Sequence, residues 1–168
     1  MNLKIRNETK DDIDAIEKIT TEAFLTAPYS DHTEQHIVRA LRNSDVLSIS
    51  LVAEYQGEVV GHVAVSPITI SDGAKGWFGL GPISVSPTIQ KSGVGSQLME
   101  SAVETLKKSG ASGCVLLGNP AYYYRFGFKP ESSLVYPGAP PEYFQAILFS
   151  GLLPNGKVAY HQAFNAKA

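Results

Sequence analysis

The chain reads as a mixed α/β domain, a partly antiparallel sheet covered by helices. Short apolar runs bounded by glycine and proline recur between segments of helical period. Their order is strand, two helices, three strands, helix, strand, helix, strand, which combines hairpins with a β-α-β crossover. That order excludes a doubly wound dinucleotide fold, whose glycine fingerprint belongs in the first strand-to-helix turn. Here Gly93 and Gly95 arrive only after the fourth strand.

Residues 3–6, "LKIR", suit a short strand. Thr9 with Asp12 reads as a capping box opening a helix, in which Ile13, Ile16, Ile19, Ala23 and Phe24 recur at helical spacing. "APYSD" breaks that helix; Asp31 and Glu34 cap a second, with Ile37, Ala40 and Leu41 as its buried stripe. "LSISLVAEY" and "EVVGHVAVSPITI" form a hairpin through Gln56-Gly57, and Pro67 marks an edge or a bulge because it has no N–H. "WFGLGPISV" is the next strand. A helix over 94–108 then buries Val94, Leu98, Met99, Ala102, Val103 and Leu106. "CVLLG" is a buried parallel strand, and "PAYYYRF" a short helix ended by Gly127. A further helix is expected near 142–148 and a last strand near 157–164.

Composition narrows the function classes. With 168 residues, 43% apolar and 18% charged, the chain is expected to be one domain, 1–168, with a core able to bury itself. A net charge of −2 gives no basic footprint for nucleic acid. A lone Cys114 excludes a disulfide framework, and as the opening residue of a buried strand it reads as an inert apolar side chain. No run reaches membrane-spanning length and the N-terminus turns acidic, so no membrane role is expected and a cytoplasmic location is. His32 and His36 stand at i, i+4 without a third ligand, so no metal site is expected.

The stretch richest in chemistry is "ISVSPTIQKSGVGSQLM". A helix start carries unpaired N–H groups and partial positive charge, a natural place for phosphate. Gly93 and Gly95 let the backbone approach an anion, while Gln90, Lys91 and Ser92 add an amide, a charge and a hydroxyl. Taken alone, the same residues equally describe a turn leading into a helix. They do not form a Walker loop, since Lys91 precedes the glycines.

The stretch resembles the acyl-CoA signature of the GCN5-related N-acetyltransferase (GNAT) family: an apolar strand, a proline, then Q/R-x-x-G-x-G/A as Gln90-Lys91-Ser92-Gly93-Val94-Gly95. "GNPAYYYRFGFKP" is similar to the family's second signature, a short helix with Tyr-x-x-x-Gly-Phe, matched by Tyr123 to Phe128. The likeness covers most of residues 3–130, taken as the common core, with 131–168 as an extension of the same domain. It implies a mostly antiparallel sheet with splayed central strands. Asn119 stands closer to Tyr123 than the family usually keeps its asparagine; the compressed G-x-P-x-Y-Y-x-R-F-G-F form resembles a bacterial branch of acetyltransferases.

The resemblance implies direct acetyl transfer from acetyl-CoA, as cosubstrate, to an amine. Residues Gln90, Lys91, Ser92, Gly93, Val94, Gly95 and Ser96 would hold the pyrophosphate, and the backbones of Ile83, Ser84 and Val85 the pantetheine. A backbone N–H near Val85 would face the developing oxyanion. Tyr123 is the expected general acid toward the CoA thiolate, protonated at neutral pH like any phenol. A packed core tyrosine is the alternative, and a shift by one position would give the role to Tyr122. Asn119 either contacts CoA or caps the helix ahead of Pro120. The fourth strand carries no carboxylate for a general base, leaving Glu22, Glu34, His62 or ordered water. Arg125 either reaches a CoA phosphate or lies along the surface. Two rivals stand beside transfer: a non-catalytic acyl-CoA-binding module and a nucleotide-binding regulatory domain. The acceptor, a small-molecule or protein amine, is not written in the sequence, and the aromatic tail leaves a homodimer open.

Overall fold

A computed structural model describes residues 2–27 and 30–167. The strands are β1 (Leu3–Asn7), β2 (Ile49–Tyr55), β3 (Glu58–Ile70), β4 (Trp77–Val85), β5 (Gly113–Leu117), β6 (Lys129–Pro130), β7 (Leu134–Val135), β8 (Phe144–Leu148) and β9 (Gly156–Tyr160). The helices are α1 (Ile13–Leu25), α2 (Glu34–Asn43), α3 (Val94–Lys108) and α4 (Pro120–Tyr123). Hydrogen bonding orders the sheet β1-β2-β3-β4-β5-β8-β6, with β9 bonded to β3 and β7. β1 with β2, β2 with β3, β3 with β9, β5 with β8 and β6 with β8 pair antiparallel, while β4 with β5 and β7 with β9 pair parallel. This is the mixed sheet that the segment order predicts, mostly antiparallel as the resemblance implies.

The chain divides into two compact units. The first holds residues up to Val65, Gly81–Ala102, and the chain from Gln162 on; the second holds Ser66–Leu80 and Val103–His161.

In the first unit, Thr9 and Asp12 form the expected capping box, opening a short 3-10 turn that runs into α1. Asp12 accepts from the Thr9 N–H at 2.7 Å and from both Arg6 guanidinium nitrogens at 2.7 and 3.0 Å. The guanidinium holds the Asp12 carboxyl well below the usual carboxylate range, against the effect of burial. Asp12→Ala is expected to cost about 1–3 kcal/mol in urea unfolding, through the lost cap and the charge-assisted bonds. Pro28 and Tyr29, within the expected helix break, lie outside the described residues. The second helix starts at Glu34 with Thr33, not Asp31, in the N-cap position, and the Thr33 side chain makes no capping bond. Gln56 and Gly57 join β2 to β3 with φ of 52° and 79°, both positive as a type I′ hairpin requires.

Each face of β3 in this unit has its own cover. Gly61 is pressed on by Val94 and Leu98 of α3; a Cβ there would lie 2.9 Å from each. On the other face Val52, paired with His62, packs with Ile16 of α1 and Val38 of α2.

In the second unit, Ile68, Ile70, Trp77, Val115, Leu134, Phe144, Ala146 and Val158 form one core cluster. Pairing of β3 with β2 ends at Val65 and pairing with β9 begins at Ile68. Pro67, which cannot donate, sits in the gap between the two ladders, so the expected interruption is where β3 changes partner.

Two expectations fail in the C-terminal part. Residues 142–148 form no helix: one 3-10 turn at Pro141–Tyr143 is followed by strand β8, antiparallel to β5. The apolar spacing there suits a helix or a strand, and long-range pairing decides. As a strand, the segment sends Phe144 and Ala146 into the core cluster and completes the β5 ladder. The last strand stops at Tyr160 rather than reaching 164, because Gln162–Asn165 turn so that Ala163 packs on Ile37 and Leu41 of α2.

Candidate active site

In the first unit, the end of β4, the following turn and the start of α3 carry the anion-binding residues expected from the sequence. Ser86 donates its N–H to Val60 O at 2.8 Å. In an antiparallel strand, neighbouring residues turn their N–H groups to opposite edges. Val85 and Ile83 therefore turn N–H and C=O away from β3, and Ser84 turns its own toward it. The Val85 carbonyl accepts from Gln90 Nε2 at 3.2 Å, which ties the turn back onto that edge. The Ser84 side chain is buried, its Oγ 3.2 Å from Thr20 Oγ1 of α1. The parallel ladder between β4 and β5 covers Trp77–Gly79 and Gly113–Val115. Pro82, lacking an N–H, follows shortly after it.

The turn itself is held by its own hydrogen bonds. Ser92 Oγ donates to Ile89 O, and the Ile89 N–H to Ser86 O at 3.0 Å. Lys91 and Gly93 both take positive φ, 66° and 92°, which folds the chain back before the helix. Gly93 is exposed with open space around it, so its conformation and not crowding demands glycine. The ladder of α3 opens with Gln97 N–H donating to Gly93 O at 3.1 Å, and a helix start turns its earlier N–H groups outward. There is no acidic residue in the first turn of α3, and Lys107 and Lys108 stand in its last. The positive end of the helix dipole thus meets no carboxylate of the helix's own first turn. Val94 is anchored instead: its side chain is buried against Gly61.

In the second unit, Asn119 and Tyr123 sit on one short helix. Asn119 Oδ1 accepts the Ala121 N–H at 2.9 Å, the capping geometry, with Pro120 in the first turn. Tyr123 N–H donates to Asn119 O at 3.1 Å. Gly127 ends the following 3-10 turn in the left-handed region, φ 97°, as the sequence predicts. The Tyr123 ring meets Tyr122 edge-on at 4.9 Å and Phe126 at 6.4 Å. Burial, helped by Tyr122, pushes its phenol up to about 12, so Tyr123 holds its proton throughout the neutral range. Tyr124 is exposed. Arg125 is exposed and lays its guanidinium 4.6 Å over the Tyr122 ring.

Each base candidate has a definite setting within the first unit. Both Glu34 carboxylate oxygens stand within reach of the single Ser30 hydroxyl proton, 2.9 and 3.0 Å from its Oγ. Glu22 lines a shallow surface groove on α1 with Asp14, Glu17, Lys18 and Thr21. His62 is wholly buried, its Nε2 2.7 Å from Ser50 Oγ. Ser50 also bonds Glu8, which takes Arg42 Nε and Nη2 at 3.0 and 2.8 Å. Burial lowers the His62 pKa to about 4, outweighing the nearby Glu8 carboxylate. Burial raises the Glu8 carboxyl, but Arg42 and Ser50 more than reverse this and leave it below its ordinary value. Glu8 is ionised and accepts the hydroxyl proton of Ser50, so Ser50 accepts from His62 Nε2–H. Nδ1 is then the bare nitrogen, buried without a partner. His62 is a hydrogen-bonded sheet histidine, as its place in "VVGHVAV" suggests.

Cys114 is fully buried and its thiol is pushed far up by burial. Among the described residues no cluster of His, Cys, Asp or Glu suits a metal, and no helix is long and apolar enough to cross a membrane. Sequence reasoning misses the roles of two residues at the tyrosine helix, Gly118 and Gln145. Gly118 closes "CVLLG" and opens "GNPAYYYRFGFKP", which does not say what rests on it, and Gln145, bonded to the Gly118 carbonyl, falls in the segment expected to be helical.

A family profile described as an acetyltransferase (GNAT) domain matches residues 4–130. The N-acetyltransferase YhbS of Escherichia coli K12, itself uncharacterized, is 30% identical over 151 residues, 86% of this chain and 90% of the relative. A GNAT family acetyltransferase from Brucella melitensis, solved in complex with acetyl-CoA, superposes with a TM-score of 0.86 at 45% identity, covering 97% of this chain and 98% of that one. YhbS from Escherichia coli, solved in complex with CoA, gives a TM-score of 0.88 at 29% identity, covering 100% of this chain and 94% of that one. With a strand–turn–helix of the acyl-CoA type in one unit and the tyrosine helix in the other, the chain belongs to the GNAT family of acetyltransferases.

Proposed function

We propose that the chain moves the acetyl group of acetyl-CoA directly onto an amine. The observation that carries this reading is the Gln90–Ser96 turn: positive φ at Lys91 and Gly93, and an α3 start without acidic residues. Those features fit a phosphate-bearing cosubstrate. The backbone N–H groups of the turn and the first residues of α3 bind the pyrophosphate, with Gln90, Lys91 and Ser92 exposed beside it. Main-chain groups of Ile83 and Val85, turned away from β3, take the pantetheine in strand fashion. Ser84 supports that edge through its bond to Thr20, and the Val85 N–H is the donor toward the thioester oxygen. Acetyl-CoA, when bound, supplies the activated acetyl group. Tyr123 holds the proton that the departing thiolate needs. Asn119 serves as the cap of the tyrosine helix. The amine proton leaves through solvent: of the base candidates, Glu34 is engaged by Ser30, His62 by Ser50, and Glu22 lies on a surface groove of α1. A cytoplasmic setting accompanies this reading.

The test is calorimetric binding followed by turnover. Acetyl-CoA is expected to bind and ATP not to displace it, and thiol release is expected with at least one amine in a broad panel. Binding without thiol release on any amine would instead make this a sensing module. Gly93→Ala, which forces a side chain onto left-handed backbone, is expected to weaken acetyl-CoA about tenfold, a loss of roughly 1–2 kcal/mol.

A further inference from the structure

We propose that Gly118 is a positioning residue for Tyr123, fixing where its phenol stands. The inference rests on reading Tyr123 as the general acid. Gly118 is the residue just after β5, and its backbone does not lie in the left-handed region, so its dihedrals do not require glycine. Its space does. A Cβ built on Gly118 would lie 2.2 Å from Tyr123 Cε2, 2.8 Å from Cδ2 and 3.2 Å from Cζ. The first of these is more than an ångström short of ordinary contact at 3.4 Å. The ring edge therefore rests directly on the Gly118 backbone.

That backbone cannot retreat. The Gly118 N–H donates to Tyr143 O at 3.0 Å, and its carbonyl accepts from Gln145 Nε2 at 2.9 Å. Gln145 is wholly buried on β8, paired with Leu116 of β5 and Pro130 of β6. Tyr122 and Phe126 pack against the same tyrosine ring. The next residue, Asn119, holds the main chain of α4. The Tyr123 ring is thus wedged between a pinned backbone and two aromatic neighbours. Any side chain at Gly118 has to move the ring, and the hydroxyl with it.

The test is a pair of double-mutant cycles on the full chain. Gly118→Ala is expected to lower kcat for thiol release about tenfold to a hundredfold, with KM for acetyl-CoA changed less than about threefold. In a Tyr123→Phe background, where the hydroxyl is already gone, the same change is expected to add less than about twofold. Gly118→Ala should also lower Tm by several degrees, and this cost should vanish in a Tyr123→Ala background that removes the ring. The thermal cycle decides the packing even if the single variant folds too poorly to assay. An equal Tm loss with and without the ring would overturn the inference. So would a kcat loss of the same factor in Tyr123→Phe. Loss of turnover in Tyr123→Phe beside a fully active Gly118→Ala sinks the inference and leaves the acid reading standing. Wild-type turnover in Tyr123→Phe removes the acid reading and with it the catalytic part of the role given to Gly118.

Discussion

Replacing Tyr123 with phenylalanine is expected to lower turnover by about two to four orders of magnitude, the usual contribution of a positioned general acid. Affinity for acetyl-CoA should stay within about threefold, because the proposed binding groups are main-chain atoms of β4, the turn and α3. Folding should be little affected: the ring keeps its place on Gly118 and against Tyr122 and Phe126, and only the hydroxyl is lost. The pH profile offers a second check. With its phenol pushed up to about 12, Tyr123 stays protonated well into the alkaline range, so rates should rise with amine deprotonation and show no alkaline fall below pH of about 10. Measuring kcat and KM for the variant on the best amine, with acetyl-CoA binding alongside, separates acid catalysis from packing. A variant that turns over like the parent would leave Tyr123 a packing residue.

The second large effect is on stability. His62 is buried neutral with its pKa lowered from 6.5 to about 4. Between those values the unfolded chain binds a proton that the folded chain refuses, so stability rises with pH across that window. The slope approaches about 1.4 kcal/mol per pH unit, and the full span from pH 4 to 6.5 amounts to about 3 kcal/mol. Glu8, the carboxylate facing His62, acts with the same sign, but its share is lost only as pH falls below its ordinary value of 4.5. Arg42 is the remaining charged group of the network, bonded to Glu8. Urea unfolding at pH 4.5, 5.5, 6.5 and 7.5 should therefore show a steep acid limb in the parent. His62→Gln can keep a donor toward Ser50 but does not titrate, and the limb above pH 4.5 should flatten. A limb unchanged by that substitution would assign it to another group.

Much of the candidate site is legible in the sequence because it is local. The turn from Gln90 to Gly95, the cap at Thr9, the hairpin at Gln56-Gly57 and the stop at Gly127 each depend on residues within one turn of one another. Glycine and capping residues carry those instructions in their own chemistry. The α3 stripe from Val94 to Leu106 is equally plain, since helical period and burial coincide along it. The stretch from Tyr143 to Leu148 is not, because its apolar spacing serves two periods and only pairing with β5 selects one.

The same division runs through the chemistry. By itself the sequence determined the mixed sheet and the order of turn and tyrosine helix, since each is encoded in short-range spacing, and it carried the motifs that resemble the family's. Only the tertiary structure decided what surrounds those groups. It tied His62 to Ser50, Glu8 and Arg42 from three separate segments, and it made Asn119 a cap. It also set Gly118, pinned by Gln145, against the Tyr123 ring. Those relations join residues distant along the chain, and burial there, not residue type, sets whether a group titrates, packs or positions another.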